Sequence, residues 1–384
     1  MEKKWIRIVR WTVLFLALSF VILCRYMPHL AEWYARTVYP PLSAALSALS
    51  SLFPFPLMEV FVVGLILALI LYPIRLRKKG IRLHEIIFRE GEILVWIYVW
   101  FYLAWGLNYY RHNIYTRLQT PPAAYEEAHF KSFLNDYTER LNTTYQANTQ
   151  IDAETLRAEI GAFYTNLSPV YGLTKPQSWQ TPKEFLFTPI YSKVSVLGSM
   201  GPFFAEAQLN ADLPEVQYPF TYAHEFSHLL GVSNEAEANY WAYRACTESS
   251  LPTLQYCGYF GLLPYVISNA AYLLPKEDFQ AWIQTIRPEV REQFNEKNKY
   301  WREKYSPFIG HIQDFTYNLF LKGNKIASGK KNYAEVIGLL LSLPKGKYLD
   351  MPTSMKCPKQ MKPTYPSNWI DWLYQFILFT IYLI

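Results

Sequence analysis

Three long apolar runs without a charged residue occupy the first third of the 384-residue chain, and they limit its possible folds more than any other feature. The runs cover residues 11–24, 60–74 and 93–110. A membrane-spanning helix needs about 20 apolar residues, and charged residues flank the two shorter runs, where long side chains can reach the polar interface. We therefore expect three transmembrane helices, at about residues 8–27, 57–74 and 92–110.

A cleaved signal peptide is the alternative interpretation of the first run, because four basic residues precede it. The run is followed by Arg25, Tyr26 and Met27, which do not form a small-residue cleavage site. A retained transmembrane helix is therefore the favoured prediction.

Basic residues are concentrated in the same part of the chain. Residues 1–118 carry 14 Lys/Arg against 6 Asp/Glu, whereas residues 119–384 carry 23 against 25. The basic excess at the N-terminus and in the segment 75–82 predicts that both are cytoplasmic, so the third helix would leave the membrane on the opposite side. We therefore expect a lipid bilayer, and not nucleic acid, as the partner of the basic third.

The long apolar runs and the basic excess end after the third run, which predicts three regions of the chain. These are a membrane domain (1–118), an extracytoplasmic domain (119–350) and a C-terminal tail of unknown role (351–384). Two short β-prone segments, 193–197 and 203–209, are separated by a glycine-containing turn and predict a hairpin. Helical sequence follows almost to Pro344, so the predicted fold class is α+β. The uncharged segment 258–274 contains Pro264 and polar residues, which favours a buried core helix over a fourth span.

The four cysteines are too few for a disulfide scaffold and contain no CxxC pair. Cys246 and Cys257 would face an oxidising compartment. Both adjoin helical segments, and free buried cysteines are common, so free thiols are favoured over a disulfide.

The chemistry is concentrated in the sequence His224-Glu225-Phe-Ser-His228. On a helix the two histidines lie one turn apart on one face, so both imidazoles can bind one Zn²⁺. Glu225 follows the first histidine and can approach the water as a general base without being a ligand. The alternative is a helix whose histidines are hydrogen-bonded internally and whose glutamate is solvated.

A carboxylate for the same metal is available shortly afterwards. Gly231 suits the end of one helix and Ser233 or Asn234 the N-cap of the next, which would open at Glu235, seven residues beyond His228. The turn can return Glu235 to the metal and complete a His, His, Glu set with one open position, as in catalytic zinc sites. Spacing alone leaves Glu237 open as the third ligand.

The segment Glu235-Ala-Glu-Ala238-Asn239 resembles the ExxA(D/N) signature of gluzincin metallopeptidases. The resemblance implies that Glu235 is the third zinc ligand and that Asn239 supports a ligand histidine through a neutral hydrogen bond. Glu237 then becomes a capping residue of the helix. The third histidine of the metzincin pattern is absent, since Asn234 stands in its place.

Four segments, including the HExxH, resemble a family of bacterial inner-membrane proteins of unknown function that carry an extracytoplasmic HExxH domain. They are Trp105–Arg111, Phe204–Asn210, the HExxH with Gly231, and Leu321-Lys322 with Gly329 and Tyr333. The resemblance covers about residues 90–345 and implies a multi-pass protein of the inner membrane.

These observations predict a membrane-anchored zinc metallopeptidase that cleaves a peptide or protein substrate in the cell envelope. We expect Glu206, in the strand before the zinc helix, either to lie near the cleft, where an edge strand would pair with an extended peptide, or to be an exposed strand residue. Two alternatives remain, a non-catalytic zinc-stabilised scaffold or sensor and a zinc amidase acting on cell-wall material. The presence of Glu225 favours the enzyme, because a structural zinc site has no need of that carboxylate.

Overall fold

The structure, a computed structural model, describes residues 2–343 and is mostly helical. The helices of the first third are α1 (Glu2–Tyr26), α2 (Pro28–Thr37), α3 (Tyr39–Ser51), α4 (Leu57–Lys78), α5 (Leu83–Ala104) and α6 (Ile114–Leu118). The later helices are α7 (Glu127–Thr143), α8 (Ala153–Asn166), α9 (Thr188–Ser192), α10 (Tyr218–Leu229), α11 (Glu235–Thr247), α12 (Pro252–Leu273), α13 (Lys276–Thr285), α14 (Pro288–Lys304), α15 (Pro307–Gly323) and α16 (Val336–Ser342). The predicted tail 351–384 and residues 344–350 lie outside the described residues.

A small three-stranded sheet accompanies the helices, so the coarse α+β prediction is confirmed. Its strands are β1 (Lys183–Glu184), β2 (Gly198–Gly201) and β3 (Glu206–Leu209). The order is β1-β3-β2, with β1 parallel and β2 antiparallel to β3. The sheet therefore has β3 at its centre and β2 at an edge.

The predicted hairpin exists, but its first strand was placed wrongly. Residues 198–201, expected to form the turn, are the strand β2, and the predicted strand 193–197 precedes it. Residues 193–195 instead form a turn, in which Ser195 has a positive φ of 55°. Glycine occupies β2 for a steric reason, since a Cβ on Gly198 would lie 2.4 Å from Cγ of Glu225 in α10.

Among the described residues, α1 and α4 are long and apolar enough to cross a membrane. Most of their surface is exposed, unlike that of a core helix. α5 does not meet the same criterion, because its last 18 residues include Arg89, Glu90 and Glu92. The third apolar run is not one continuous α-helix, since α5 ends at Ala104 and residues 106–110 form a mostly buried 3₁₀ turn.

Two apolar clusters hold the protein together. One joins α7, α8, α10, α11, α12 and α16, and it includes the predicted core helix as α12. Cys246 and Cys257 are free buried thiols within it, as favoured from the sequence, and burial raises the pKa of Cys257 to about 12. The other cluster joins α1, α2 and α5 to Phe203 and to the end of α15. Residues on both sides of position 118 therefore share one core.

Candidate metal centre

The HExxH sequence lies on α10, and a tight turn connects it to α11. Gly231 has a φ of 97° and donates its N–H to the carbonyl of His228 at 3.0 Å, while Val232 donates to the carbonyl of Ser227 at 3.1 Å. This pair of bonds is the Schellman ending, which requires a residue that tolerates positive φ. Asn234 then caps α11 by accepting the N–H of Glu237 at 3.0 Å. The turn brings Glu235, the first residue of α11, back to the histidines.

The donor atoms of His224, His228 and Glu235 converge in the protein interior. Each histidine Nε2 lies 3.2 Å from Oε2 of Glu235, and the two Nε2 atoms are 3.1 Å apart. Two ligands at about 2.0–2.1 Å from one tetrahedral zinc ion are about 3.3 Å apart. The spacing therefore fits a single metal ion bound by all three side chains, which are all buried.

The hydrogen bonds of the other ring nitrogens orient both imidazoles toward this point. Nδ1 of His224 donates to the side-chain oxygen of Asn239 at 2.9 Å, and Nδ1 of His228 donates to the carbonyl of Val232 at 2.7 Å. Amide and carbonyl oxygens only accept hydrogen bonds, so each imidazole in its neutral form carries its proton on Nδ1 and turns the Nε2 lone pair toward the cluster. Two imidazoles and one carboxylate form a donor set that suits Zn²⁺.

The electrostatics of the cluster favour positive charge within it. Burial opposes ionisation of His228, but the neighbouring Glu235 carboxylate raises its pKa to about 9. Burial also opposes ionisation of Glu235, yet the two histidines hold its pKa well below the usual range. Burial raises the pKa of Glu225. The two histidines oppose this rise, while the negative charge of Glu235 adds to it.

The side chain of Glu225 extends from α10 to the edge of the sheet. It is only 6% exposed, and its side chain packs against the backbone of Gly198 at the start of β2. Its position on α10, one residue after His224, places it beside the donor cluster without adding a fourth donor to it. The edge strand β2 is therefore the strand next to the predicted general base.

Two residues from the C-terminal part of the chain hold Glu235, and neither was predicted. Tyr317 on α15 donates its hydroxyl to Oε1 of Glu235 at 2.8 Å. Asn332 accepts the backbone N–H groups of Glu235 and Ala236 at 3.0 and 3.2 Å. The only signal in the sequence was their nearness to Leu321-Lys322, Gly329 and Tyr333, which carry no evident chemistry.

The Trp105–Arg111 segment holds the turn after the second histidine. Trp105 Nε1 donates to the carbonyl of His228 at 2.9 Å, and Arg111 donates to the carbonyl of Gly231 at 3.3 Å. The hydroxyl of Ser233 donates to the carbonyl of Asn108 at 2.8 Å. The segment 105–111, which follows α5, is therefore hydrogen-bonded to the turn between α10 and α11.

Glu237 does not belong to the donor cluster, and its predicted capping role is wrong. Its carboxylate forms a buried ion pair with Arg117 and accepts from Nε1 of Trp241 at 3.1 Å. The side chain of Glu237 therefore contacts α6, which carries Arg117. The backbone N–H of Glu237 receives the cap of Asn234 and its side chain supplies none.

Glu206 is likewise a structural residue and is not exposed. It lies on the central strand β3, so the expectation of an edge strand at this residue is wrong. Its carboxylate accepts the first N–H groups of α4, from Leu57 and Met58, both at 2.9 Å, and it pairs with Lys183 at 2.8 Å. An acidic side chain at a helix N-terminus satisfies donors that have no partner within the helix. Glu206 therefore fixes the start of α4 to the sheet.

The family described as "Protein of unknown function (DUF3810)" matches residues 34–341. The match covers most of the chain. The protein belongs to the DUF3810 family. Comparisons with curated proteins and with solved structures found no match. The predicted membership in a family of unknown function is thereby confirmed, while the gluzincin and inner-membrane assignments stay predictions.

The match to the DUF3810 family extends from α2 to α16 and includes the whole donor cluster. It also includes the residues that hold the cluster from other parts of the chain, namely Trp105, Arg111, Tyr317 and Asn332. In this DUF3810 protein the donor residues and their supports therefore lie within one matched region.

Proposed function

We propose that this protein is a membrane-anchored zinc metallopeptidase with a gluzincin-like site on the extracytoplasmic side. One observation carries the proposal. The donor atoms of His224, His228 and Glu235 lie 3.1–3.2 Å from one another, with Glu225 beside them on the same helix. Three protein ligands leave a position open on a tetrahedral metal, which is the arrangement of a catalytic and not a structural zinc site.

Each side chain has a separate role in the proposed reaction. His224, His228 and Glu235 would hold the zinc, and Asn239 orients the ring of His224. Bound zinc would supply Lewis acidity to the scissile carbonyl and to the attacking water. Glu225 accepts the proton of that water on its carboxylate and passes it to the leaving amine.

The edge strand β2 is the proposed substrate platform. It begins at Gly198 against Glu225, and its side opposite β3 is not paired with another strand of the described sheet. An extended peptide can add to such an edge through backbone hydrogen bonds. This assigns to β2 the role expected earlier for the strand of Glu206.

The proposed membrane domain consists of α1, α4 and α5. α1 and α4 expose apolar side chains along most of their length, and the basic segment 75–82 joins α4 to α5. We place that segment and the N-terminus in the cytoplasm, which puts the zinc site outside. A reporter active only in the periplasm should work when fused after Arg117 and fail near Lys79. The reverse result would place the zinc site in the cytosol.

One observation favours a zinc-stabilised scaffold or sensor as the second candidate. His224, His228 and Glu235 are each at most 8% exposed. Glu225 distinguishes an enzyme from a scaffold, because hydrolysis needs its carboxylate and a structural zinc site does not. A zinc amidase would use the same residues on a different amide.

The proposal is tested with the zinc-loaded full chain in detergent and a library of fluorescence-quenched peptides. Glu225→Gln should lower hydrolysis by at least about a hundredfold, the scale of general-base loss. Gly198→Ala should also lower it, since the added methyl group collides with Glu225, whereas the neighbouring Ser199→Ala should have little effect. Equal hydrolysis by wild type and Glu225→Gln would contradict the assignment of the base.

A further inference from the structure

α15 lies across the extracytoplasmic ends of the proposed membrane helices. At its C-terminal end, the carbonyl of Gly323 accepts from Arg25 in the last turn of α1 at 3.3 Å, and Tyr102 of α5 donates to Asn324 at 2.8 Å. At its N-terminal end, Ser306 donates its N–H to the carbonyl of Lys193, just after α9, at 2.8 Å. A helix of this length extends about 25 Å.

The segment leading into α9 is held at the start of α4. The backbone N–H groups of Leu186 and Phe187 both donate to the carboxylate of Glu59, in the first turn of α4, at 3.0 Å. The start of α4 and the end of α5 meet at Phe203, whose ring centroid is 4.9 Å from that of Phe61 and 6.2 Å from that of Phe101. Both ends of α15 are therefore anchored at the same end of the helix bundle.

The outer face of α15 is exposed and mostly apolar, with the exposed His311 at the edge of the apolar stripe. Phe308, Ile312 and Phe315 recur at helical spacing and are 78%, 55% and 66% exposed. Gly310 and Leu321, on the opposite face, are buried. A helix on a water-exposed surface normally carries polar residues on its outer face. The exposed apolar stripe of α15 is the reverse of that pattern.

More exposed apolar side chains surround the start of α4. They come from the α3–α4 connection and from the segment 186–190, and they are Leu52, Phe53, Leu186, Phe187 and Ile190. The exposed apolar surface continues into α4 at Val60 and Val63. A contiguous apolar surface of this kind marks an interaction site.

We propose that the outer face of α15 and the segment 186–190 form a lipid-contacting surface that lies in the interface of the outer leaflet. The inference rests on the membrane anchoring proposed above and goes beyond it. Lipid is the occupant because the surface is continuous with the exposed faces of the spanning helices and lies at their ends. Amphipathic helices bind bilayers in this orientation, parallel to the membrane plane.

The same helix connects this surface to the metal centre. Tyr317, on the inner side of α15, donates to Glu235. A single hydrogen bond thus links the helix in the interface to the donor cluster.

The test uses the full chain in nanodiscs of phosphatidylethanolamine and phosphatidylglycerol, with a nitroxide at single introduced cysteines. Cys357→Ser supplies the background, because Cys24, Cys246 and Cys257 are buried. Collisions with oxygen report lipid contact, and collisions with a water-soluble nickel chelate report contact with water. Labels in Phe308→Cys and Phe315→Cys should give an oxygen-to-nickel ratio severalfold above that of Tyr272→Cys.

Tyr272 is the matched control, since it is an aromatic residue 87% exposed on α12, a helix that packs on α10 and α11. Leu67→Cys, on the exposed side of α4, reports the span itself. If Leu67→Cys contacts lipid while Phe308→Cys and Phe315→Cys contact water or are shielded from both reagents, the lipid surface is overturned and the anchoring stands. If Leu67→Cys contacts water, both are overturned. Neither result depends on zinc content or hydrolysis.

Discussion

Nδ1 of His224 lies 2.9 Å from the side-chain oxygen of Asn239, which is fifteen residues further along the chain and on the next helix. The bond is buried, and it fixes both the tautomer and the rotation of the first histidine. The acceptor is a neutral amide and not a carboxylate.

Removing this amide should weaken zinc binding without removing a ligand. Asn239→Ala frees the ring of His224 and is expected to lower zinc affinity by about 10–100-fold. Asn239→Asp keeps an acceptor at the same place and should bind zinc at least as tightly as wild type. Competition with a fluorescent chelator measures both affinities. Wild-type affinity in Asn239→Ala would show that the contact does not orient a ligand.

The two glutamates of α11 should respond differently to the same change. Glu235→Gln removes a charged donor from the cluster and should lower zinc affinity strongly. Glu237→Gln leaves the buried guanidinium of Arg117 without its counter-charge, and loss of one partner of a buried pair costs about 3–5 kcal/mol. Its melting temperature should therefore fall while its zinc content stays at the wild-type value. Loss of zinc from Glu237→Gln and not from Glu235→Gln would reverse the assignment.

The sequence predicted the local parts of the site because short-range geometry determines them. Two histidines four residues apart share a helix face, Gly231 tolerates the positive φ that ends the helix, and Asn234 caps the next one. These local features direct the chain back so that Glu235 faces the histidines.

The supports from distant segments were not predictable in this way. Trp105 reaches the carbonyl of His228 across 123 positions, and Tyr317 reaches Glu235 across 82. No periodicity or spacing encodes such contacts. Glu206 was misplaced for a related reason, since its role depends on the start of α4, which lies 149 positions earlier.

Lys297 on α14 gives a prediction that does not involve the metal. It is 9% exposed, and its Nζ lies over the rings of Phe260 and Phe294. Burial lowers its pKa from 10.5 to about 8. Below pH 8 both the folded and unfolded chains carry the proton, and the folded chain bears the full cost of the buried charge. Between pH 8 and 10.5 only the unfolded chain binds the proton, so stability rises with pH.

Lys297→Met should therefore stabilise the protein at pH 7, by about 1–3 kcal/mol, and the gain should shrink as the pH approaches 10.5. Lys299→Met on the same helix is the control, because that side chain is 71% exposed. Thermal unfolding at pH 7 and 10.5 measures the difference. An equal gain at both pH values would exclude burial of charge as its cause.

We expect His224, His228 and Glu235 to bind zinc and Glu225 to be dispensable for binding it. The zinc content per chain tests this, measured by mass spectrometry on wild type, Glu225→Gln and His228→Ala purified with zinc present. We predict one equivalent in wild type and in Glu225→Gln, and almost none in His228→Ala. Absence of zinc from wild type, or a full equivalent in His228→Ala, would show that these residues do not form a zinc site.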